Sequence, residues 1–91
     1  MRRLRIPDDV AALIRGLHPD VKRKVRSVLG DILADPQLGK PLRDELAGLR
    51  SCRVSRFRIV YRVAATTIEI VAVGPRRTIY HETWRRVRRL R

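Results

Sequence analysis

The sequence predicts an α+β fold in which a helical hairpin packs on a small, mostly antiparallel sheet. Apolar residues recur every three or four positions between residues 8 and 35, as on one face of a helix. From residue 50 to residue 73 they alternate with other residues, as in strands. Helical spacing returns after Gly74 and Pro75, so the predicted element order is β-α-α-β-β-β-α. A chain of 91 residues has the length of one domain, and we expect residues 1–91 to form a single unit.

The first predicted elements are a short strand and a helix. Residues 3–6 alternate polar and apolar side chains, and the strand ends at Pro7. Asp8 and Asp9 then place carboxylates in the first turn of a helix, where the helix dipole favours negative charge. The apolar stripe of this helix follows the helical period and consists of Val10, Leu13, Ile14 and Leu17.

A second helix is predicted to begin at Pro19 and to end before Pro36, which cannot continue it. Its apolar positions are Val21, Val25, Val28, Leu29, Ile32 and Leu33. The turn between the two helices contains His18, to which we assign a structural role. The outward positions of the second helix form a basic face, either simply solvated or in contact with phosphates: Lys22, Arg23, Lys24 and Arg26.

Three consecutive strands are predicted after a connecting segment at residues 36–49, which holds a helical turn within residues 42–46. The first strand lies near residues 50–54. Two-residue turns are predicted at Ser55-Arg56 and at Ala65-Thr66. The odd-numbered residues of the middle strand are predicted to face the helical hairpin and form the core: Phe57, Ile59, Tyr61 and Val63.

The charge of the chain points to a polyanionic partner. Twenty-two Lys and Arg residues against nine Asp and Glu give a formal net charge of +13, and only three of the basic residues are Lys. Guanidinium groups remain charged and offer paired donors that match phosphate oxygens. We therefore expect a nucleic acid, the ribosome or an acidic protein as partner.

Other functional classes are disfavoured by the same sequence. No long apolar run follows Met1, so we expect neither a signal peptide nor a membrane span. We therefore expect a cytoplasmic protein. Cys52 has no cysteine or histidine at metal-ligand spacing, which argues against a structural zinc site. We interpret Cys52 as a small buried apolar residue.

The predicted register gathers arginines at one end of the sheet. If Ser55-Arg56 is the turn, Arg53 lies opposite Arg58 on the face away from the helical hairpin. The second turn pairs Arg62 with Glu69 at the other end of the sheet. It also places Arg58 opposite Val73, so that Arg76 emerges beside Arg58. We predict that Arg53, Arg58 and Arg76 converge with no carboxylate beside them and bind an anion. The alternative is that they are three separately solvated arginines.

The segments that carry these arginines resemble the RelE/ParE toxin superfamily. Residues 49–61, LRSCRVSRFRIVY, look like the basic strand, tight turn and "YRxxY"-like strand of that superfamily. Residues 73–80, VGPRRTIY, resemble its closing "GxRxxxxY" segment, and the helical hairpin also fits. The resemblance implies one RelE-like toxin domain over residues 1–91. It further implies that the chain is the toxin of a type II toxin–antitoxin system and that it cleaves translated messenger RNA on the ribosome.

The resemblance also implies residue roles. In the implied reaction, a ribose 2′-hydroxyl attacks its own 3′-phosphate without a metal or cofactor. The implied catalytic residues are Arg58, Arg76 and Tyr80. Pro75 stands where a His or Lys is common, so Tyr80, His81 and Glu82 all stay open as acid–base groups. The positions expected to bind RNA are Arg50, Arg53, Arg56, Arg77, His81 and Arg85.

The C-terminal stretch and the partners complete these expectations. A helix over residues 78–91 would bury Trp84, Val87 and Leu90 on the sheet and present arginines to ribosomal RNA. The alternative is a fraying basic tail. An antitoxin in a hetero-oligomer, the ribosome and messenger RNA are the expected partners. Two alternatives share the fold: a ParE-like toxin that poisons gyrase without cutting RNA, and an inactive relative that only binds antitoxin.

Overall fold

The computed structural model describes residues 2–89 and confirms the predicted fold class and the order of the main elements. The elements are β1 (Arg3–Arg5), α1 (Asp8–Arg15), α2 (Pro19–Ala34), β2 (Lys40–Pro41), β3 (Arg50–Val54), β4 (Phe57–Val63), β5 (Thr67–Pro75) and α3 (Ile79–Arg89). The connecting segment contains the expected helical turn, a 3-10 turn at Asp44–Leu46, and also the short strand β2, which was not predicted. Leu90 and Arg91, which the prediction for the last helix included, lie outside the described residues.

The described residues form one mixed sheet of five strands. The strand order is β1-β5-β4-β3-β2. β1 pairs with β5 in parallel, and the other three pairs are antiparallel. The helical hairpin between β1 and β2 covers one face of the sheet, which we call the hairpin face. α3 covers part of the other, which we call the α3 face.

The helical hairpin forms where the sequence places its start and stop signals. Asp8 and Asp9 occupy the first turn of α1. At the start of α2, the Nδ1 atom of His18 accepts a hydrogen bond from the backbone N–H of Asp20 at 3.2 Å, which confirms the structural role of His18. The predicted stripes were partly wrong, because Leu13 is 42% exposed and Leu33 is 37% exposed. Neither leucine belongs to the buried cluster that the two helices form with the sheet.

Each face of the sheet has its own buried cluster. On the hairpin face, Ile59 and Tyr61 of β4 are completely buried, as the odd-numbered alternation predicted, and Cys52 is buried beside them. Burial raises the pKa of the Cys52 thiol, in keeping with its role as an apolar residue. On the α3 face, Leu49, Val60, Ala72 and Ile79 form a second, smaller cluster.

A β-bulge in β5 corrects the predicted register. Arg62 pairs with Glu69 as predicted, but the register shifts between Val60 and Tyr61 of β4, so that Arg58 lies opposite Gly74 and not opposite Val73. A bulge adds one residue to one strand of a pair and reverses the alternation beyond it. Val73 therefore packs on the hairpin face, and the prediction that placed it opposite Arg58 was wrong.

The packing of α3 also departs from the prediction. Its sheet side is formed by Ile79 and Thr83, which are buried, and by Val87, which is partly buried. The hydroxyl of Thr83 donates a hydrogen bond to the Ile79 carbonyl at 2.7 Å, so this polar side chain is satisfied in the core. Trp84, predicted to be buried on the sheet, is only half-buried and lies on another side of the helix. The prediction relied on apolar residues spaced three apart from Trp84. In the structure, the residues that face the sheet are spaced four apart and begin at Ile79.

Tyr61 fixes the connecting segment to the sheet. Its hydroxyl accepts a hydrogen bond from the Gly39 N–H at 2.7 Å and donates one to the Pro36 carbonyl at 2.8 Å. Burial raises the pKa of this phenol above its ordinary value, although the Gly39 hydrogen bond opposes the shift. The phenol therefore stabilises the fold fully below about pH 10, and this contribution is lost as the pH rises through the higher folded-state pKa.

Gly39→Ala is expected to lower the free energy of unfolding by about 1–3 kcal/mol. A Cβ atom at Gly39 would come within 2.6 Å of the Tyr61 hydroxyl and break both of its hydrogen bonds. Gly30→Ala is the matched control, because Gly30 lies in the exposed interior of α2 with no atom within 4 Å of its Cβ position. It should raise the free energy of unfolding by about 0.5–1 kcal/mol. Urea denaturation measures both, and equal effects of the two substitutions would contradict the prediction.

Within residues 2–89, no helix is both long enough and apolar enough to cross a membrane.

Candidate active site

A basic cleft lies at the end of the sheet where the turn between β3 and β4 meets the end of β5. Its volume is about 440 Å³. It is lined by Arg53, Ser55, Arg56, Phe57, Arg58, Pro75, Arg76 and Arg77. We call it the arginine cleft, because five of its eight lining residues are arginines and none is acidic.

Backbone pairing brings these arginines together. Arg53 of β3 lies directly opposite Arg58 of β4, as the turn at Ser55-Arg56 predicted. Ser55 adopts a positive φ of 57°, which closes this tight turn. The backbone N–H of Arg76 donates to the Arg56 carbonyl at 3.2 Å and holds the end of β5 beside the turn. The convergence of Arg53, Arg58 and Arg76 is thus a consequence of strand register.

The charge of the arginine cleft is not neutralised within residues 2–89. The carboxylates of this part of the chain that do form ion pairs bind other arginines: Asp20 pairs with Arg23, Glu69 with Arg62 at 2.6 Å, and Asp9 with Arg86. Like charges directly opposite one another in a sheet destabilise the fold. An anion bound in the cleft would offset this repulsion.

Arg58 is a partly enclosed arginine of the cleft whose guanidinium donors lack good partners. Its Nε atom is buried and has no hydrogen-bond partner among the described residues. Its Nη1 atom makes only a long contact of 3.4 Å with the hydroxyl oxygen of Ser51. A buried donor without a partner is costly, and no acceptor among residues 2–89 satisfies this one.

Ser51 connects the arginine cleft to Tyr80. The Tyr80 hydroxyl donates to the Ser51 Oγ atom at 3.4 Å, so that one buried serine oxygen accepts from both Arg58 and Tyr80. Tyr80 is 36% exposed, and α3 presents it over the sheet from the turn that follows β5. The structure therefore places a guanidinium and a phenol on either side of one small hydroxyl group.

The sequence did not single out Ser51. The available signal was its position two residues before Arg53 on the same strand, which puts both side chains on one face of the sheet. A small polar residue on a face with arginines carries no further signal in the sequence. Its importance depends on the path of α3, which brings Tyr80 back over β3.

Three predicted RNA-binding residues lie outside the arginine cleft. Arg50 belongs to the hairpin side of the sheet, where its Nη1 atom donates to the carbonyls of Gly39 at 2.7 Å and Gln37 at 3.3 Å. His81 and Arg85 line a separate cleft on α3 together with Trp84. Glu82, the other open acid–base candidate, lines a third cleft between α1 and α3. Of the three acid–base candidates, Tyr80 is the one that contacts a residue bound to Arg58.

Comparison with known proteins relates the chain to bacterial toxins. Residues 5–80 match the family model described as the ParE toxin of the type II toxin–antitoxin system parDE. The chain is 42% identical over 73 residues to Toxin RelG of Mycobacterium tuberculosis, which covers 72% of this chain and 84% of that protein. It is 34% identical over 79 residues to Toxin RelE of the same organism, which covers 84% of this chain and 71% of that protein.

Solved structures show the same architecture. The crystal structure of the toxin–antitoxin complex RelBE2 from Mycobacterium tuberculosis matches with a TM-score of 0.72 and 33% identity, over 82% of this chain and 98% of that chain. A mutant of Escherichia coli toxin RelE in the free state matches with a TM-score of 0.77 over 99% of this chain and 98% of that chain. At 21% identity, the second match bears on the fold alone.

Proposed function

This chain belongs to the family of ParE-type toxins of type II toxin–antitoxin systems, and from its arginine cleft we propose that it is an endoribonuclease that cleaves messenger RNA on the ribosome. The observation that carries the proposal is the group of unneutralised arginines beside Tyr80. A protein that only binds another protein does not need a phenol poised next to a guanidinium whose Nε atom is buried without a partner. A nuclease that attacks a phosphodiester needs both.

The proposed reaction is an in-line attack of a ribose 2′-hydroxyl on the adjacent 3′-phosphate. The bond from the 2′-oxygen to phosphorus forms, and the bond from phosphorus to the 5′-oxygen breaks. Tyr80 orients the 2′-hydroxyl or, after its own phenol proton has passed to water, accepts the proton of the 2′-hydroxyl. The departing 5′-oxygen takes up one proton from water, so the reaction neither gains nor loses a proton overall. The products are a cyclic phosphate and a free 5′-hydroxyl.

Arginines would supply the positive charge that this reaction requires, so the proposal needs no metal. Negative charge grows on the phosphoryl oxygens in the transition state, and fixed guanidinium donors stabilise it. Arg58 and Arg76 take this catalytic role, while Arg53, Arg56 and Arg77 hold the flanking backbone. Arg50 already donates to two carbonyls of its own chain. We therefore propose that it stabilises the connecting segment and does not bind RNA.

Production of the toxin from a tight promoter, followed by mapping of messenger 5′ ends, tests the proposal. Growth should stop, and new ends with a free 5′-hydroxyl should lie inside translated codons. Arg76→Ala should remove these ends, and Arg15→Ala is the matched control because Arg15 is exposed at the end of α1, outside the arginine cleft. Growth arrest without cut messengers would contradict the proposal, and an unaffected culture would indicate an inactive relative.

The matching family model favours a second candidate, a gyrase poison of the ParE kind. That function predicts a DNA damage response and inhibited supercoiling with intact messenger RNA. Purified gyrase and purified ribosomes therefore separate the two candidates in one pair of assays.

We also propose an antitoxin partner. The related structures of RelBE2 and of Escherichia coli RelBE are toxin–antitoxin complexes. With a formal net charge of +13, this chain would attract an acidic antitoxin segment that covers the arginine cleft. Co-expression of the neighbouring gene product should restore growth and yield a stable complex.

Ser51→Ala is expected to lower the cleavage rate on saturating programmed ribosomes by about three- to tenfold. The substitution removes an acceptor shared by Arg58 and Tyr80, so both side chains lose their common position. Ser51 is proposed to position Arg58 and Tyr80 without contacting the phosphate. The affinity for the ribosome should therefore stay unchanged while the cleavage rate falls. Ser27→Ala on the exposed side of α2 is the control. A change in affinity alone would contradict a positioning role.

A further inference from the structure

A second cleft lies on α3, outside the arginine cleft. Its volume is about 450 Å³, and it is lined by His81, Trp84, Arg85 and Arg88. We call it the tryptophan cleft. The rings of His81 and Trp84 are nearly parallel, with an interplanar angle of 25° and centroids 6.3 Å apart. The guanidinium carbon of Arg88 lies 5.1 Å from the centroid of the Trp84 ring.

The sheet does not account for the position of Trp84. α3 packs against the sheet through Ile79, Thr83 and Val87, while Trp84 takes no part in either buried cluster. Trp84 is the only tryptophan of the chain and its largest apolar side chain. Trp84 is partly buried, and it lines this cleft with two arginines, outside both apolar clusters. An indole in that position can offer a flat aromatic face to a ligand.

The tryptophan cleft continues the surface that starts at Tyr80. Tyr80, Trp84 and Arg88 are spaced by four residues and therefore form one row along α3. One helical turn separates Tyr80 from Trp84, about 6 Å along the helix axis. Tyr80 in turn contacts Ser51, which contacts Arg58. A strand whose phosphate lies against Arg58 would reach Trp84 with its next nucleotides.

We propose that the tryptophan cleft binds an unpaired RNA base next to the scissile nucleotide, by stacking on Trp84. This inference rests on the proposed nuclease function and adds a substrate subsite to it. Stacking on flat aromatic rings within a basic groove is how proteins hold single-stranded nucleic acids without reading their sequence. Arg85 and Arg88 form no ion pair with a carboxylate of the described residues, and both would bind the phosphates on either side of the stacked base.

The contact between Arg88 and Trp84 does not block the subsite. An exposed contact between a guanidinium and an aromatic face is weaker than the stack of a nucleobase on an indole. An incoming base therefore displaces the guanidinium of Arg88 from the ring. The displaced group gains a phosphate in exchange, so that one movement replaces a weak contact with two stronger ones.

The fluorescence of the single tryptophan tests the proposal directly. The wild-type chain is titrated with a short single-stranded RNA that carries 2′-O-methyl groups throughout and cannot be cleaved. Stacking should quench the emission of Trp84 in a saturable manner. An abasic oligomer of the same length and charge should bind through its phosphates without quenching. Equal quenching by the two oligomers would overturn the proposal, because it would show an electrostatic effect and no stacking.

Anisotropy of the labelled RNA supplies a second measurement that does not depend on fluorescence of the protein. Trp84→Ala should weaken binding by roughly five- to a hundredfold, whereas Trp84→Phe should retain most of the affinity. Circular dichroism of each variant confirms that α3 is intact, and Arg15→Ala controls for the charge of the chain.

The outcomes separate this inference from the nuclease function. Unchanged RNA binding by Trp84→Ala together with normal messenger cleavage would overturn the subsite and leave the nuclease function in place. Loss of antitoxin binding with unchanged RNA binding would assign the surface to a protein contact, which also overturns the subsite. If wild type binds no RNA while ribosomes carrying messenger are not cut either, both proposals fail together.

Discussion

Replacing Arg58 with alanine is expected to reduce the single-turnover rate of messenger cleavage on programmed ribosomes by about 10²- to 10³-fold. Arg58 is the partly enclosed guanidinium of the arginine cleft, and its buried Nε atom has no partner in the described chain. A donor that is already in place and already desolvated stabilises developing charge without reorganisation. Its loss should therefore act on the chemical step more than on the binding of the ribosome.

Two further variants make this prediction specific. Arg58→Lys keeps the charge but loses the paired donors, so it should recover only part of the lost rate. Arg62→Ala is the matched control on the same strand, because Arg62 is neutralised by Glu69 at the opposite end of β4. Equal losses in Arg58→Ala and Arg62→Ala would mean that general charge, and not the arginine cleft, supports the activity.

Arg58→Ala should not lower the stability of the fold to a comparable degree. The variant removes the repulsion between Arg53 and Arg58, which lie directly opposite each other. It also removes the unpartnered buried Nε atom. We expect the free energy of unfolding to stay within about 1 kcal/mol of the wild type, measured by urea denaturation. A variant that loses activity and keeps its stability identifies a residue maintained for function.

The register of the sheet could be predicted wherever turns determine it. The turn at Ser55-Arg56 fixed the pairing of Arg53 with Arg58, and the second turn fixed the pairing of Arg62 with Glu69. The bulge in β5 could not be predicted, because Val71, Ala72 and Val73 are all small and apolar and suit either face. The shift moved Gly74 opposite Arg58 while leaving the convergence of the arginines intact.

Residues placed by α3 were harder to predict than residues placed by strands. Alternation along a strand fixes the face on which a side chain lies, so the positions of Arg53 and Arg58 could be predicted from the sequence. The face of a helix depends on which of two spacings packs against the sheet. Ile79, Thr83 and Val87 lie on that face because Thr83 can satisfy its hydroxyl within the helix, a possibility that hydrophobicity alone does not reveal. Trp84 was misplaced for this reason, and Ser51 was missed because its partner Tyr80 also comes from α3.

Removing one hydroxyl group should have the second large effect. Tyr80→Phe is expected to lower the cleavage rate by about 10²- to 10⁴-fold, because the variant can neither orient the 2′-hydroxyl nor accept its proton. The phenol is 36% exposed and makes only one long hydrogen bond within the described chain, to Ser51. The stability of the fold should therefore hardly change. Single-turnover cleavage on programmed ribosomes and urea denaturation measure the two quantities.

Tyr61→Phe is the matched control, because Tyr61 and Tyr80 are the two tyrosines of the chain and differ in environment alone. Tyr61 is buried and makes two short hydrogen bonds to the connecting segment, so its variant should lose about 1–3 kcal/mol of stability while the folded fraction cleaves at the normal rate. The same chemical change thus separates the two roles: one phenol stabilises the fold, and the other acts on the substrate. If Tyr80→Phe cleaves normally, the proton must go to His81, Glu82 or a ribosomal group, and the arginine cleft would act by electrostatic stabilisation alone.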